Sequence, residues 1–202
     1  MKLFHAPLSP FVRKVMVLLH EAGAADRVTL VPVSGHPLDP GTLPVDRNPL
    51  GKIPALERPD GPTLYDSRVI TRYLDDLLHA GLYPAAPHLW DTLVIEATGD
   101  GIAEAAVLMR YEMQVRPEDT RSPAWVEGQW AKIARALDAL EERWLSHLSG
   151  PVDMGLVAVG CGLGYLDLRH AERDWRAMHP ALAAWFAEFS ARRSMQATAP
   201  AA

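Results

Sequence analysis

Apolar positions along this chain follow two regimes. Through about the first 80 residues, short apolar runs alternate with stretches of helical spacing. KLFHA, residues 2–6, predicts a strand. Residues 10–22 predict a helix, with Val12, Val15, Met16 and Leu19 at helical spacing and Gly23 placed to stop it. RVTLVPV, 27–33, is β-branched and predicts a strand that finishes near Pro32. A long connection dense in Pro, Gly, Asp and Asn follows, SGHPLDPGTLPVDRNPLG. Loops of that length in compact domains are often functional. Residues 55–57 and 63–65 predict two short strands joined by a turn at Pro59-Asp60-Gly61. Residues 67–81 predict a helix with Val69, Ile70, Tyr73, Leu74 and Leu77 on one side, so the order is β-α-β, then β-β-α.

LYPAAPH, 82–88, reads as a linker, and everything beyond it has a helical pattern. One helix covers about 88–115, with Gly99 and Gly101 as weak points. Glycine costs a helix about 1 kcal/mol, so a bend or a close contact is expected there. Pro117 ends that helix, and Pro123 opens another that runs to about 149. Its expected core face is Trp130, Ile133, Leu137, Leu140 and Trp144. Gly150-Pro151 breaks it, and Asp153 caps a helix over 154–169. A last helix follows Pro180, carrying Leu182, Trp185, Phe186 and Phe189, before a tail, ATAPAA, expected to fray.

Composition narrows the function classes. At 202 residues, the chain is long enough for one sizeable core or two small domains. Hydrophobic residues at 49% and charged residues at 22% indicate a folded chain rather than a disordered one. A net charge of -5 argues against nucleic acid as a partner, and no basic run offers a hold on an anionic membrane. Cys161 is the single cysteine, so neither an intramolecular disulfide nor a cysteine-based zinc site is available. Its uncharged setting, LVAVGCGLGYL, predicts a buried structural thiol. The run MGLVAVGCGLGYL is too short to span a bilayer and predicts a helix buried on most sides. The start lacks a signal peptide's apolar region, so a cytoplasmic protein is expected. The six tryptophans sit mostly at core spacing, and Lys2, Lys14 and Lys132 read as surface charges.

Three stretches carry candidate chemistry. In NPLGKIPAL, 48–56, Gly51 gives a turn, Lys52 a cation, and Ile53-Pro54 comes directly before a strand. A cis bond there would sharpen the turn and expose the peptide groups of Ile53 to pair with an extended peptide; an ordinary loop into an edge strand is the other reading. In LYDSRVI, 64–70, Asp66-Ser67 lies where a strand turns into a helix. Ser67 serves there as a cap, or the free N–H groups bind a ligand carboxylate while Asp66 meets its ammonium group. In PLSPFVRKV, Ser9 opens a helix and either caps it or donates to a ligand's sulfur. A free thiol titrates at about 8.5, and a helix N-terminus lowers that value. No G-x-S-x-G elbow surrounds Ser9, which leaves a Ser-His-Asp hydrolase without support.

In their order and spacing, SPFVRKV, NPLGKIPAL and YDSRVI, followed by an all-helical second half, resemble the glutathione S-transferase family, and most closely its small bacterial, serine-type branch. The resemblance covers the whole chain. It implies an α/β plus all-α architecture: a thioredoxin-like glutathione-binding domain over 1–81 and an all-helical domain over 87–202 that contributes the electrophile site. It also implies a homodimer, a detoxifying transferase that turns glutathione into a thiolate for attack on a small electrophile, and no metal. By the same resemblance Ser9 stabilises the thiolate, and Ile53 pairs with the cysteinyl part of glutathione. Asp66 and Ser67 hold the γ-glutamyl end, with Lys52 and His36 near the glycine carboxylate. Leu8 and Phe11 from the first domain, with Met109, Arg110 and Tyr111 from the second, are implied for the electrophile. Arg110 would meet an acidic substrate or else a neighbouring side chain or solvent.

Some positions depart from the family pattern. With no cysteine in the first domain, glutaredoxin-like chemistry is unavailable, and with no tyrosine before the first helix the tyrosine-type site is excluded. Leu156 stands where an acid usually completes the cap begun by Asp153. A glutathione-dependent isomerase and a non-catalytic binding protein of the same fold are the alternative readings.

Overall fold

The computed structural model describes residues 1–200, which fall into two compact units. The first contains a three-stranded sheet of β1 (Lys2–His5), β2 (Thr29–Pro32) and β3 (Ala55–Glu57), in the order β2-β1-β3. β2 runs parallel to β1 and β3 antiparallel. Two helices accompany the sheet, α1 (Pro10–Glu21) and α2 (Ser67–Leu78). This is the thioredoxin-like arrangement expected. Leu3, Val15, Leu18, Leu19, Leu56, Ile70 and Leu74 are fully buried and form the core. The fourth expected strand, 63–65, shrinks to Leu64 alone, which exchanges both backbone hydrogen bonds with Leu56 at 2.9 Å. Pro62, just before it, has no N–H to extend the ladder, and its carbonyl accepts from Arg58 Nε instead.

Two expectations need correction here. Lys14 is not a surface charge: it is 1% exposed, on the same face of α1 as Val15 and Leu18. Nor does all of 87–202 belong to the helical unit. From Arg193 the chain groups with Met1–Tyr83. A short helix, α9 (Arg193–Ala197), packs on α1, where Arg13 donates to Met195 O at 3.1 Å and Ser194 donates to Glu21. Polar matches of this kind leave no local pattern in the sequence. The expected tail begins inside this helix, and its last two positions lie outside the described residues.

The second unit is all helical: α3 (His88–Gln114), α4 (Pro123–Ala139), α5 (Leu145–Leu148), α6 (Met154–Arg169), α7 (Trp175–Met178) and α8 (Pro180–Ser190). A π-helical turn, Leu140–Trp144, joins α4 to α5 inside what reads as one continuous helix. α3 runs unbroken through Gly99. A Cβ added at Gly99 would stand 2.5 Å from the backbone of Ala158 and Val159, so this glycine lets α3 and α6 touch. Cys161 is buried between core residues of α6, as expected. The tryptophans are less buried than their spacing implies: Trp175 is interior, but Trp90 and Trp125 are exposed. They lie in the first turns of α3 and α4, where fewer neighbours cover them. Among the described residues no helix is long and apolar enough to cross a membrane.

Asp153 caps α6, accepting from the Leu156 N–H at 3.0 Å. Its other oxygen accepts from Thr92 Oγ1 at 2.7 Å and pairs with His147 Nε2 at 2.8 Å. With no acid at position 156 to complete a capping box, the Asp153 carboxylate is held instead by partners from α3 and α5.

His170, just past α6, donates Nε2–H to Ala106 O at 3.0 Å. Burial pushes its pKa below the ordinary 6.5, outweighing the carbonyl, which favours the cation. The unfolded chain takes up its proton at the ordinary value, while the fold resists it. This contribution to stability is complete above about pH 6.5 and is lost as pH falls from there toward the lower native value. Denaturant unfolding between about pH 8 and pH 5 should show that decline, and His170→Gln should flatten it. An equally steep decline in the variant would assign it elsewhere, half-buried His5 being the other histidine whose pKa is lowered.

Candidate functional site

Sheet register brings the three stretches of candidate chemistry to one end of the first unit. β1 ends at His5, and the turn that follows, closed by Ser9 N–H on Ala6 O, leads into α1 at that end. β3 runs the opposite way, so Ala55, paired with Phe4, begins at that same end with Ile53 and Pro54 just before it. Leu64 is antiparallel to Leu56, so the chain leaving it returns there and enters α2 at Asp66 and Ser67. β2 is parallel to β1, and the loop holding His36 therefore also departs from this end. Ligands commonly bind at the C-terminal ends of strands in α/β units.

Ser9 is the N-cap of α1: its Oγ accepts from the Val12 N–H at 3.3 Å. Capping occupies a lone pair and leaves the hydroxyl proton, which has no acceptor among the described residues. Pro10 has no N–H, and the Phe11 N–H has no acceptor among the described residues either. The positive end of α1 thus presents one hydroxyl and one amide donor.

The Ile53–Pro54 bond is cis. Neither the N–H nor the C=O of Ile53 makes a hydrogen bond among the described residues. Asn48 holds this loop. Only 2% exposed, it donates Nδ2–H to Lys52 O at 2.7 Å and accepts the Leu50 N–H at 3.0 Å. Gly51 lies between them at φ +59°, a left-handed conformation that favours glycine. The signal for Asn48 in the sequence is its place three residues before Gly51 in NPLG. Lys52 itself is exposed and makes no ion pair among the described residues.

At α2 the cap is Asp66, not Ser67. Asp66 accepts from the Arg68 N–H at 3.0 Å and from the Arg68 guanidinium at 3.0 Å. Burial alone would raise its pKa, but the hydrogen bonds and charge of Arg68, with the charge of Lys14, hold it below the usual carboxylate value. Ser67 is then the first helical residue, 3% exposed, and neither its N–H nor its hydroxyl has a partner among the described residues. Thr71 Oγ1 donates to Ser67 O at 2.9 Å and meets Tyr83 Oη at 2.8 Å, which steadies that first turn.

The remaining candidates are dispersed. His36 is tied to its own loop, pairing with Asp39 through the backbone and accepting the Leu38 N–H at Nδ1. Leu8 is 39% exposed and Phe11 half-buried, beside Ser9 in the chain. In the helical unit Met109 is 2% exposed and packed inside, whereas Arg110 and Tyr111 are half-buried.

Known proteins resemble this chain along its whole length. The chain matches the glutathione S-transferase N-terminal domain over residues 8–77 and the C-terminal domain over residues 123–188. A crystal structure of a glutathione transferase family member from Pseudomonas fluorescens Pf-5 with bound glutathione is 47% identical. It covers 100% of this chain and 99% of its own, with a TM-score of 0.96. A second crystal structure from that organism, with bound S-(propanoic acid)-glutathione, is 44% identical over 100% of each chain, with a TM-score of 0.90. The uncharacterized GST-like protein YibF of Escherichia coli K12 is 31% identical, over 99% of this chain and 98% of its own. By these matches the chain belongs to the glutathione S-transferase family.

Proposed function

We propose that this protein is a serine-type glutathione transferase. Glutathione lies along the C-terminal end of β1, its cysteinyl backbone pairing with Ile53 as a neighbouring strand would. Its γ-glutamyl carboxylate meets the N–H and hydroxyl of Ser67, and its ammonium group meets Asp66. Lys52 attracts the glycine carboxylate, with His36 in the adjoining loop. The thiol loses its proton to solvent, and the Ser9 hydroxyl and Phe11 N–H donate to the thiolate that remains. The sulfur lone pair then forms a bond to an electrophilic carbon, and the leaving group departs with the electrons of the broken bond. Leu8 and Phe11, beside Ser9 in the chain, contribute to the electrophile's surroundings. A cytoplasmic homodimer belongs to the same reading.

The observation that carries it is the set of unused peptide and hydroxyl groups at Ile53 and Ser67, at the sheet end where α1 begins. Ser67 is buried, and buried polar groups are normally paired, so a ligand with complementary groups is the natural partner. The Pseudomonas fluorescens relatives, with glutathione and a glutathione thioether bound, support the same ligand class. Two measurements test the reading: titration calorimetry with glutathione, and release of chloride on conjugation with chlorodinitrobenzene. Ser67→Ala should weaken glutathione binding by roughly tenfold, the size of one hydrogen bond to a charged group. Full affinity in that variant would place the γ-glutamyl end elsewhere.

A further inference from the structure

Within the helical unit α3 and α6 run side by side in the same direction: Gly155 abuts Ile95, Gly162 abuts Gly99 and Ile102, and His170 bonds Ala106. One turn further along α3 stands Arg110, which this register sets beside Arg169 at the end of α6. The two guanidinium groups lie close enough to repel each other. Tyr165, one turn before Arg169, accepts a hydrogen bond from it and interacts with Tyr111 on α3.

Three other arginines of this unit pair with acids. Arg173 forms a two-pronged pair with Glu127 at 2.6 and 3.0 Å, Arg176 pairs with Asp167 at 2.6 Å, and Arg116 with Glu112 at 2.8 Å. Among the described residues Arg110 and Arg169 have no acid partner. The acid at this end, Glu172, faces His170 Nδ1 at 3.9 Å instead. Arg169 Nε is moreover buried with no hydrogen-bond acceptor among the described residues. Leaving a buried charged donor unpaired costs free energy, and setting two like charges together adds to it. Burial raises the pKa of both phenols, so Tyr111 and Tyr165 remain protonated donors at neutral pH. Two cations and two hydroxyls converge without an anion of the protein's own.

We infer that Arg110 and Arg169, with the hydroxyls of Tyr111 and Tyr165, bind a carboxylate carried by the second substrate. A carboxylate fits because its two oxygens accept a guanidinium's paired donors side by side. This inference rests on the glutathione transferase reading for what the second substrate does, and it narrows the electrophile to an organic acid. The protein thus selects against neutral esters and amides of the same shape, which would leave the arginines unpaired.

Two experiments separate this inference from the reading on which it rests. In the first, the Nε–H resonance of Arg169 is followed as sodium propionate or neutral propionamide is added to the protein without glutathione. A saturable shift with propionate alone, weakened in Arg110→Met, is expected. No shift, or the same shift with propionamide, would overturn the subsite. The second compares affinities for S-(carboxyethyl)glutathione and its amide, S-(carbamoylethyl)glutathione. The acid should bind at least about tenfold tighter, as expected for a charge-assisted hydrogen-bonded pair. Arg169→Met and Arg110→Met should each erase that preference. Equal affinities for acid and amide in the unaltered protein would also overturn the inference. If no glutathione derivative binds, the transferase reading fails, and the propionate titration alone decides the subsite.

Discussion

Replacing Asp153 with alanine should destabilise the helical unit by about 4 kcal/mol. Loss of the N-cap on α6 accounts for about 1 kcal/mol of this. The rest comes from Thr92 and His147, which both rely on the same carboxylate oxygen at 2.7 and 2.8 Å. Thr92 is fully buried, so its hydroxyl has no water to turn to. An unsatisfied buried hydroxyl costs roughly 1–3 kcal/mol. Asp153→Asn keeps an oxygen for the Leu156 N–H and should recover much of the loss. Chemical denaturation followed by circular dichroism reads the effect. A loss below about 1 kcal/mol in Asp153→Ala would mean that Thr92 and His147 find other partners. Combining Asp153→Ala with Thr92→Val should cost less than the two separate losses added together, because the second change removes the stranded hydroxyl.

The second large effect concerns reactivity. Ser9→Ala should lower the conjugation rate at neutral pH by roughly a hundredfold, the usual consequence of losing one donor aimed at a developing anion. In the proposed mechanism the hydroxyl proton of Ser9 favours the thiolate form of bound glutathione. Without it the bound thiol's pKa rises, and less thiolate exists at neutral pH. Ultraviolet absorbance of the bound thiolate against pH reads this directly: the midpoint should move upward in Ser9→Ala and return in Ser9→Thr. An unchanged midpoint would remove the hydroxyl from the mechanism and leave the Phe11 N–H and the helix end to stabilise the anion. The cap lost with the hydroxyl also costs about 1 kcal/mol of stability, so the variant should be compared below its own melting range.

Ser9-Pro10, Ile53-Pro54 and Asp66-Ser67 were legible because each works through its own backbone neighbours. A serine before a proline caps a helix wherever the pair occurs, and the Gly51 turn is written in four consecutive letters, NPLG. Asp66 rather than Ser67 caps α2: both are good caps, and local preference does not separate them. Lys14, Asn48 and Arg169 were not read as site-forming. Their burial depends on which element lies across from them, and a lysine one turn from Leu18 looks like any solvated helix charge. The tryptophans failed in the opposite sense, since core spacing near a helix end does not guarantee a neighbour to cover it.

Determined by the sequence alone were the change from mixed strand-and-helix pattern to all helix, the buried character of α6, and the three stretches that belong to glutathione S-transferases. Each is a matter of local periodicity, capping or turn chemistry. Tertiary structure alone decided that these stretches share one end of the sheet, because strand direction and register are set by pairing between distant residues. It also decided that the Asp153 carboxylate finds Thr92 and His147. The meeting of Arg110 with Arg169 without an acid between them was likewise settled by packing. Gly99 lets α3 and α6 close to backbone contact, and that approach brings the two arginines into register.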